Sequence, residues 1–256
     1  MPKTIQFVIC SLMRLSDCGI LPDIDSGTVS ARASRMAKIQ TYTGRLVSVP
    51  FIREEDVCLE DIAHSLSMQC RFNGHTDFFY SVLHHSLLGS KKAEYPTIEL
   101  AFLLHDAAEA YTGDIATPLK RLTKYSNSRM TSCGPVDVSV ADVENRNLST
   151  IFRALGIECL DLPQIHCWVK EIDTRMLVTE AGRLMKRGDY QWRDHGEPYT
   201  DIVFNKIEPE DIKRIWMMAV HEAAIKCGIN LVDADTKRSA AYSLRATTKI
   251  YGQLIP

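Results

Sequence analysis

Residues 102–115 read FLLHDAAEAYTGDI. Pro96 and Thr97 open a helical pattern upstream, as proline suits the first turn, and Leu100, Leu103 and Leu104 carry it to Tyr111, with Gly113 ending it. His105 and Asp106 are adjacent near the end of this apolar run. At 3.6 residues per turn their side chains point about 100° apart, so one ion between them can take an imidazole nitrogen and a carboxylate oxygen together. Glu109 follows His105 by four positions and Asp106 by three, which sets it on the same face. Asp114 comes after the Gly113 break and can turn back toward that face. Three carboxylates and a histidine at one helix end, within an apolar element, are costly to bury unless a cation compensates them. A His-Asp pair alone is common by chance. The further Glu at three and the Gly-Asp beyond make chance a poor account, and a divalent metal a good one.

One helix cannot fill a coordination shell. YSVLHHSLL, residues 80–88, offers His84 and His85, of which one reaches the ion. VKEIDTRM, residues 169–176, sets Asp173 between the apolar Ile172 and Met176. There it needs a partner, and the bland alternative is a salt bridge to Arg175 or Lys170. Helical periodicity also covers 61–70, 77–88, 138–155, 163–186 and 209–227. Gln40–Pro50, rich in β-branched residues with Gly44 as a turn, reads as a short hairpin or extended arm. Ser126–Pro135, polar with Gly and Pro, reads as a loop. The expected class is all-α: a flexible extension over 1–35 (Met36 could be the natural start), a helical domain over 36–230, and a tail over 231–256 with a weak helix.

The 256 residues carry 30 basic and 32 acidic side chains, a net charge of −2. This balance lacks the basic face that duplex nucleic acid requires, yet leaves room for a local cation cluster on a small anion. The eight cysteines (Cys10, Cys18, Cys58, Cys70, Cys133, Cys159, Cys167 and Cys227) form no CxxC pair, and reduced thiols are expected. No apolar run is long enough to span a bilayer. Ile5–Met13 is apolar but short and closed by Arg14, so a cytoplasmic protein without a membrane partner is expected.

The H…HD…D order, the HDxxE motif and the following Gly-Asp resemble the HD-domain phosphohydrolases. Within that superfamily the chain is similar to the bacterial 5′-deoxynucleotidase group and to phage deoxyadenosine triphosphate hydrolases. The likeness runs from about Ile39 to Trp216. It is strongest in EDIAHSLSMQCRFNGHT (60–76), FYSVLHHSLL (79–88), LLHDAAEAYTGDIATPLK (103–120) and VKEIDTRMLVTEA (169–181). It implies a helical bundle around one metal, with His85, His105, Asp106 and Asp173 as ligands. His84 departs from the pattern, since relatives carry an acidic or amide residue there. Glu109 and Asp114 match positions that handle the attacking water and the leaving group, and Arg71 one that grips a substrate phosphate.

Two further substrate contacts are proposed from the residues: Lys120 in TPLKR, otherwise a solvated lysine, and His75 in NGHT, otherwise a structural histidine. Phe72, Tyr80 or Trp192 could stack on a base, although each is more often core. The expected reaction is hydrolysis of a phosphate ester or anhydride of a small (deoxy)nucleotide by metal-activated water, as a 5′-nucleotidase or a triphosphohydrolase. Mixed nitrogen and oxygen ligands suit manganese, cobalt, zinc, iron or nickel. A homo-oligomer is permitted. The competing readings are a non-catalytic nucleotide or metal sensor on the same fold, and a hydrolase of another phosphorylated metabolite. The GYP motif of cyclic-dinucleotide hydrolases is replaced here by Gly113-Asp114-Ile115.

Overall fold

The computed structural model describes residues 37–131, 134–190 and 192–231. The expected extension over 1–35 and the tail from 232 onward lie outside the described residues. The N-terminal arm is a hairpin: β1 (Lys38–Gln40) pairs antiparallel with β2 (Leu46–Ser48). Its turn needs a positive φ, which Gly44 supplies at 87°. Asp61 accepts from the Thr43 amide at 2.7 Å and from its hydroxyl at 2.9 Å, tying this turn to the first helix.

The body is helical: α1 (Leu59–Met68), α2 (Val82–Ser90), α3 (Pro96–Leu104), α4 (Glu109–Thr112), α5 (Thr117–Lys120), α6 (Val140–Leu155), α7 (Pro163–Leu184) and α8 (Pro209–Lys226). α3 lies at the centre. Ile98, Leu100, Ala101, Phe102, Leu103 and Leu104 are all buried, so the helix is apolar around its girth, as a fully enclosed helix must be. α8 packs on α1 and α3, and α2 on α3. Trp216 of α8 is fully buried and gives its indole N–H to the Leu103 carbonyl at 2.9 Å. Full burial of each such large side chain contributes roughly 1.5–3 kcal/mol. Among the described residues, no helix is long and apolar enough to cross a membrane. Cys58, Cys70, Cys159, Cys167 and Cys227 are in no disulfide among the described residues; Cys10, Cys18 and Cys133 lie outside the described residues.

Three expectations need correction. Where a loop was expected over Ser126–Pro135, β3 (Lys124–Thr131) pairs antiparallel with β4 (Gly134–Ser139), with a register irregularity between Asn127 and Thr131. The alternation of Val136, Asp137 and Val138 is a strand signal that the polar composition hides. Second, the helix expected from Asp77 begins only at Val82, where the Ser81 hydroxyl caps it by accepting from the His84 amide at 3.2 Å. The residues before it bend over 76–78, and Ser81 is extended, bridging to Cys70, with Tyr80 accepting from the Arg71 amide. Third, the helix expected through Tyr111 stops at Leu104. The His105 ring takes the Phe102 carbonyl with Nδ1 at 2.6 Å, the acceptor that Asp106 N–H would use in an α-helix. From there the chain tightens to i→i−3 bonds: Ala107 to Leu104, Glu109 to Asp106, and Tyr111 to Ala108.

Candidate metal centre

Three helices deliver the cluster. α2 carries His85, the end of α3 carries His105 and Asp106, and α7 carries Asp173. His85 Nε2 and His105 Nε2 face each other at 3.3 Å. Asp173 Oδ1 is 3.5 Å from His85 Nε2, and Asp106 Oδ1 is 3.2 Å from His105 Nε2. One donor atom each from His85, His105 and Asp173 fall within 4.8 Å of one another, a set that could hold a metal ion. Asp106 flanks it, with Oδ2 3.9 Å from His85 Nε2. His85, not His84, joins the cluster. The His84 ring is buried against Tyr80 at 4.8 Å, and burial lowers its pKa to about 4, keeping it neutral.

The imidazole tautomers follow from the second nitrogens. His85 Nδ1 donates to Glu180 Oε1 at 2.6 Å, and His105 Nδ1 donates to the Phe102 carbonyl. Both Nε2 lone pairs therefore point inward, toward carboxylates that carry lone pairs as well. Acceptors facing acceptors repel unless a cation lies between them. Two ligands each about 2.1 Å from one ion, at tetrahedral to right angles, stand about 3.0–3.4 Å apart, which matches the imidazole spacing. The donor set fits a divalent ion of the manganese-to-zinc kind.

Glu180 was not singled out by sequence. It follows Asp173 by seven positions on α7, two turns along one face, so periodicity could have found it. It is fully buried, and accepts from His85, from the Tyr80 hydroxyl at 2.8 Å and from Arg71 Nε at 3.2 Å. Burial works to raise its pKa, but the charge of Arg71 and the His85 ring hold it below the ordinary value. Tyr80 is thereby committed to the core rather than to base stacking. Burial likewise works to raise Asp173, yet the positive charge that His105 and His85 carry when protonated, with that of Lys170, which takes its other oxygen at 2.8 Å, holds it below the usual carboxylate range. The bland alternative for Asp173 is thus present together with its place in the cluster. Burial lowers the pKa of His105, leaving the ring neutral and able to ligate.

Arg71 lies among these acids, with Nη1 3.6 Å from Asp106 Oδ2. It opens a tight turn in which Phe72 and Asn73 adopt positive φ of 53° and 50°. His75 ends that turn exposed to solvent. Among the described residues no hydrogen bond or ion pair joins it to the cluster, so the sequence expectation of a substrate contact at His75 gains nothing from its position.

Glu109 and Asp114 bracket the adjoining wall. Glu109 is buried, its Oε1 accepts from Lys120 Nζ at 2.8 Å, and its Oε2 has no hydrogen-bond partner among the described residues. Burial pushes its carboxyl well up, the charges of Asp106 and Asp114 add to this, and Lys120 opposes it. Burial raises Asp114 too, against the pull of Arg71. Lys120 is not the solvated lysine that was the alternative: it also bonds Glu144 of α6 at 3.0 Å. Burial works to lower its pKa, but the two carboxylates hold it above its ordinary value. Nothing in the sequence marks Glu144, because its partner lies on another element.

No family model matches the sequence. Over 162 residues, 60% of the chain and 72% of the relative, it is 47% identical to "Uncharacterized protein RCAP_rcc00048" of Rhodobacter capsulatus. Over 89 residues, 34% of the chain, it is 46% identical to "Uncharacterized protein YfdR" of Escherichia coli, of whose length it spans about half, 48%. The chain belongs to the same family as the Rhodobacter protein. Neither name states an activity.

Proposed function

We propose that this chain is a metal-dependent phosphohydrolase of the HD-domain type, acting on a small (deoxy)nucleotide. The observation that carries the proposal is the inward convergence of two imidazole Nε2 lone pairs with Asp173 and Asp106, beside two further acids and two cations. The acids gathered here, Asp106, Asp173 and Glu180 with Glu109, Asp114 and Glu144 beside them, outnumber Arg71, Lys120 and Lys170, and such an excess of poorly solvated carboxyl groups favours a cation. His85, His105, Asp173 and Asp106 would hold it. When bound, the ion supplies Lewis acidity to water and to a phosphoryl oxygen.

The chain's own groups do the rest. Arg71 presents a planar guanidinium beside the cluster, suited to two parallel hydrogen bonds with a phosphate. Glu109 and Asp114, both raised by burial, are candidates for exchanging a proton with water or the leaving oxygen. Lys120 ties Glu109 to Glu144 of α6. The Phe72 ring meets Trp192 edge-on at 6.1 Å next to Arg71, an aromatic surface available to a base. Arg121 and Lys124 are exposed nearby, which favours a polyphosphate tail as far as charge alone can.

The test is direct. The protein is loaded in turn with manganese, cobalt, zinc, iron and nickel. It is then offered mono-, di- and triphosphates of ribo- and deoxynucleosides, with products identified as phosphate, pyrophosphate or triphosphate. Release of one of these is expected, together with a thermal stabilisation of about 2.7 kcal/mol at a hundredfold excess of metal over its dissociation constant. A folded, metal-loaded protein that hydrolyses none of the panel would end the proposal.

A further inference from the structure

Gln69 has no place in the chemistry above, yet its single side-chain amide touches both ends of the segment that carries the two acids. Its Nε2 donates to the Glu109 carbonyl at 3.1 Å and to the Ser65 hydroxyl at 2.9 Å, and its Oε1 accepts from the Asp114 amide at 2.8 Å. The amide cannot be turned over. Reversed, it would set NH₂ against the Asp114 N–H and oxygen against the Glu109 carbonyl. Ser65 in turn donates to the Ala110 carbonyl at 3.1 Å, bracing the same short helix from one turn earlier on α1.

The backbone of Gln69 is fixed as well. α1 ends at Met68, and Gln69 turns to an extended conformation (φ −89°, ψ 123°). Its carbonyl accepts from the Val82 amide at 3.1 Å, the first residue of α2, and His85 lies three residues on. The next residue, Cys70, bridges to Ser81, and Arg71 N–H binds the Tyr80 carbonyl. One residue thus joins the start of the His85 helix to the loop of Glu109 and Asp114.

We propose that Gln69 is a positioning residue that sets the distance and angle of Glu109 and Asp114 relative to the metal ligands. The proposal rests on the phosphohydrolase reading. Gly113, between the two acids, has a φ of 83° and belongs to no helix, so the loop's own backbone leaves Asp114 without a helical restraint. Gln69 supplies one through the amide N–H. Among the described residues the Gln69 side-chain hydrogen bonds go to Ser65, Glu109 and Asp114 and to none of the four proposed ligands, so its loss should disturb the acids while sparing the ion.

Gln69→Leu removes all three bonds. The near-isosteric Gln69→Glu keeps the acceptor for Asp114 but turns oxygen toward the Glu109 carbonyl. In the manganese-loaded full chain both should lower kcat about 10- to 100-fold, the range seen when a supporting hydrogen bond or about 1 Å of placement is lost. KM and the manganese dissociation constant should stay within about threefold. Amide hydrogen exchange at Asp114 should rise at least about tenfold in Gln69→Leu, while α3 amides keep their protection.

Parental kcat in both variants overturns the proposal. So does a fall in kcat matched by an equal loss of manganese affinity with Asp114 exchange unchanged, since that is general loosening. Should Gln69→Leu not fold, Gln69→Glu decides by the same kcat and metal readouts. Should the parent hydrolyse nothing with any metal, the phosphohydrolase reading fails by itself. Exchange at Asp114 then still decides the clamp, and an unchanged rate refutes it.

Discussion

Gly89→Ala should be destabilising although it replaces glycine in the last turn of α2, where alanine is the better helix former by at most roughly 0.5–1 kcal/mol. A Cβ at Gly89 would stand 2.2 Å from Phe102 Cε1 and 2.4 Å from Cζ. Ordinary carbon contacts are about 3.5–4.0 Å, so the ring must retreat by about 1.3 Å or more. Phe102 is fully buried, with its ring centroid 5.5 Å from that of His85 and 4.4 Å from that of His105. It has no free space to enter, and its retreat pushes on both imidazoles. Overpacking of this kind costs about 1–3 kcal/mol. At the upper end, less the gain in helix propensity, a net loss of about 2 kcal/mol remains. With a urea slope near 2–3 kcal/mol per molar, the midpoint should fall by about 0.7–1 M. Metal affinity should fall with it, by about tenfold for each 1.4 kcal/mol passed to the site. Shortening the ring in the same chain, Gly89→Ala with Phe102→Leu, should recover part of the loss, with a coupling of at least about 0.5 kcal/mol between the two sites. A Gly89→Ala protein as stable as the parent would show that α2 and α3 do not approach this closely.

Three further outcomes follow from the same geometry. Glu180→Ala strips His85, Tyr80 and Arg71 of a shared buried acceptor; metal affinity should drop about 10- to 100-fold, and isothermal titration giving parental affinity would contradict the role assigned to Glu180. His85→Leu should abolish uptake of one equivalent of metal while His84→Leu retains it, and atomic absorption on the purified proteins giving the reverse would exchange the two assignments. Lys120→Met leaves Glu109 and Glu144 without their cation. Burial already raises both acids, so each binds its proton more tightly folded than unfolded, and the stability it contributes is present at low pH and lost as pH rises through the folded value. Without Lys120 that rise goes further, so the deficit in unfolding free energy read from urea transitions should be larger at pH 8 than at pH 5, reaching about 3–5 kcal/mol where a buried partner is left charged and alone. A larger deficit at pH 5 would mean that Lys120 does not compensate these acids.

The sequence announced the helices because their apolar faces recur with the helical period, and it announced His105, Asp106 and Glu109 because they are neighbours along the chain. It could not show that the helix stops at Leu104. A stretch of four residues is too short for its pattern to separate a period of 3.6 from one of 3.0, and the deciding event is a side-chain bond, His105 Nδ1 to the Phe102 carbonyl. Glu180 was within reach, seven positions after Asp173, but periodicity alone cannot tell a buried acid from the other acids of a long helix. Glu144 and Gln69 were out of reach. Their significance lies in partners 24 and 45 residues away, Lys120 and Asp114, and such pairings leave no local signal.

The two histidines explain why the supporting residues matter as much as the ligands. A neutral imidazole has one ring lone pair to offer, and the hydrogen bond donated by its other nitrogen fixes which nitrogen offers it. His85 meets this through Glu180, a charged acceptor that Arg71 and Tyr80 also hold, whereas His105 meets it through a main-chain carbonyl at the helix end. Arg71 is therefore shared between two duties: it fixes the carboxylate behind His85, and it presents its remaining N–H groups beside Asp106. A phosphate arriving at Arg71 would compete with Asp106 for the guanidinium face, not with Glu180, because Nε is turned toward Glu180 and Nη1 toward Asp106. On the proposed function, an anion bound at Arg71 would weaken the Arg71–Asp106 contact and leave Glu180 in place, so Asp106 would be the acid freed to help hold an ion.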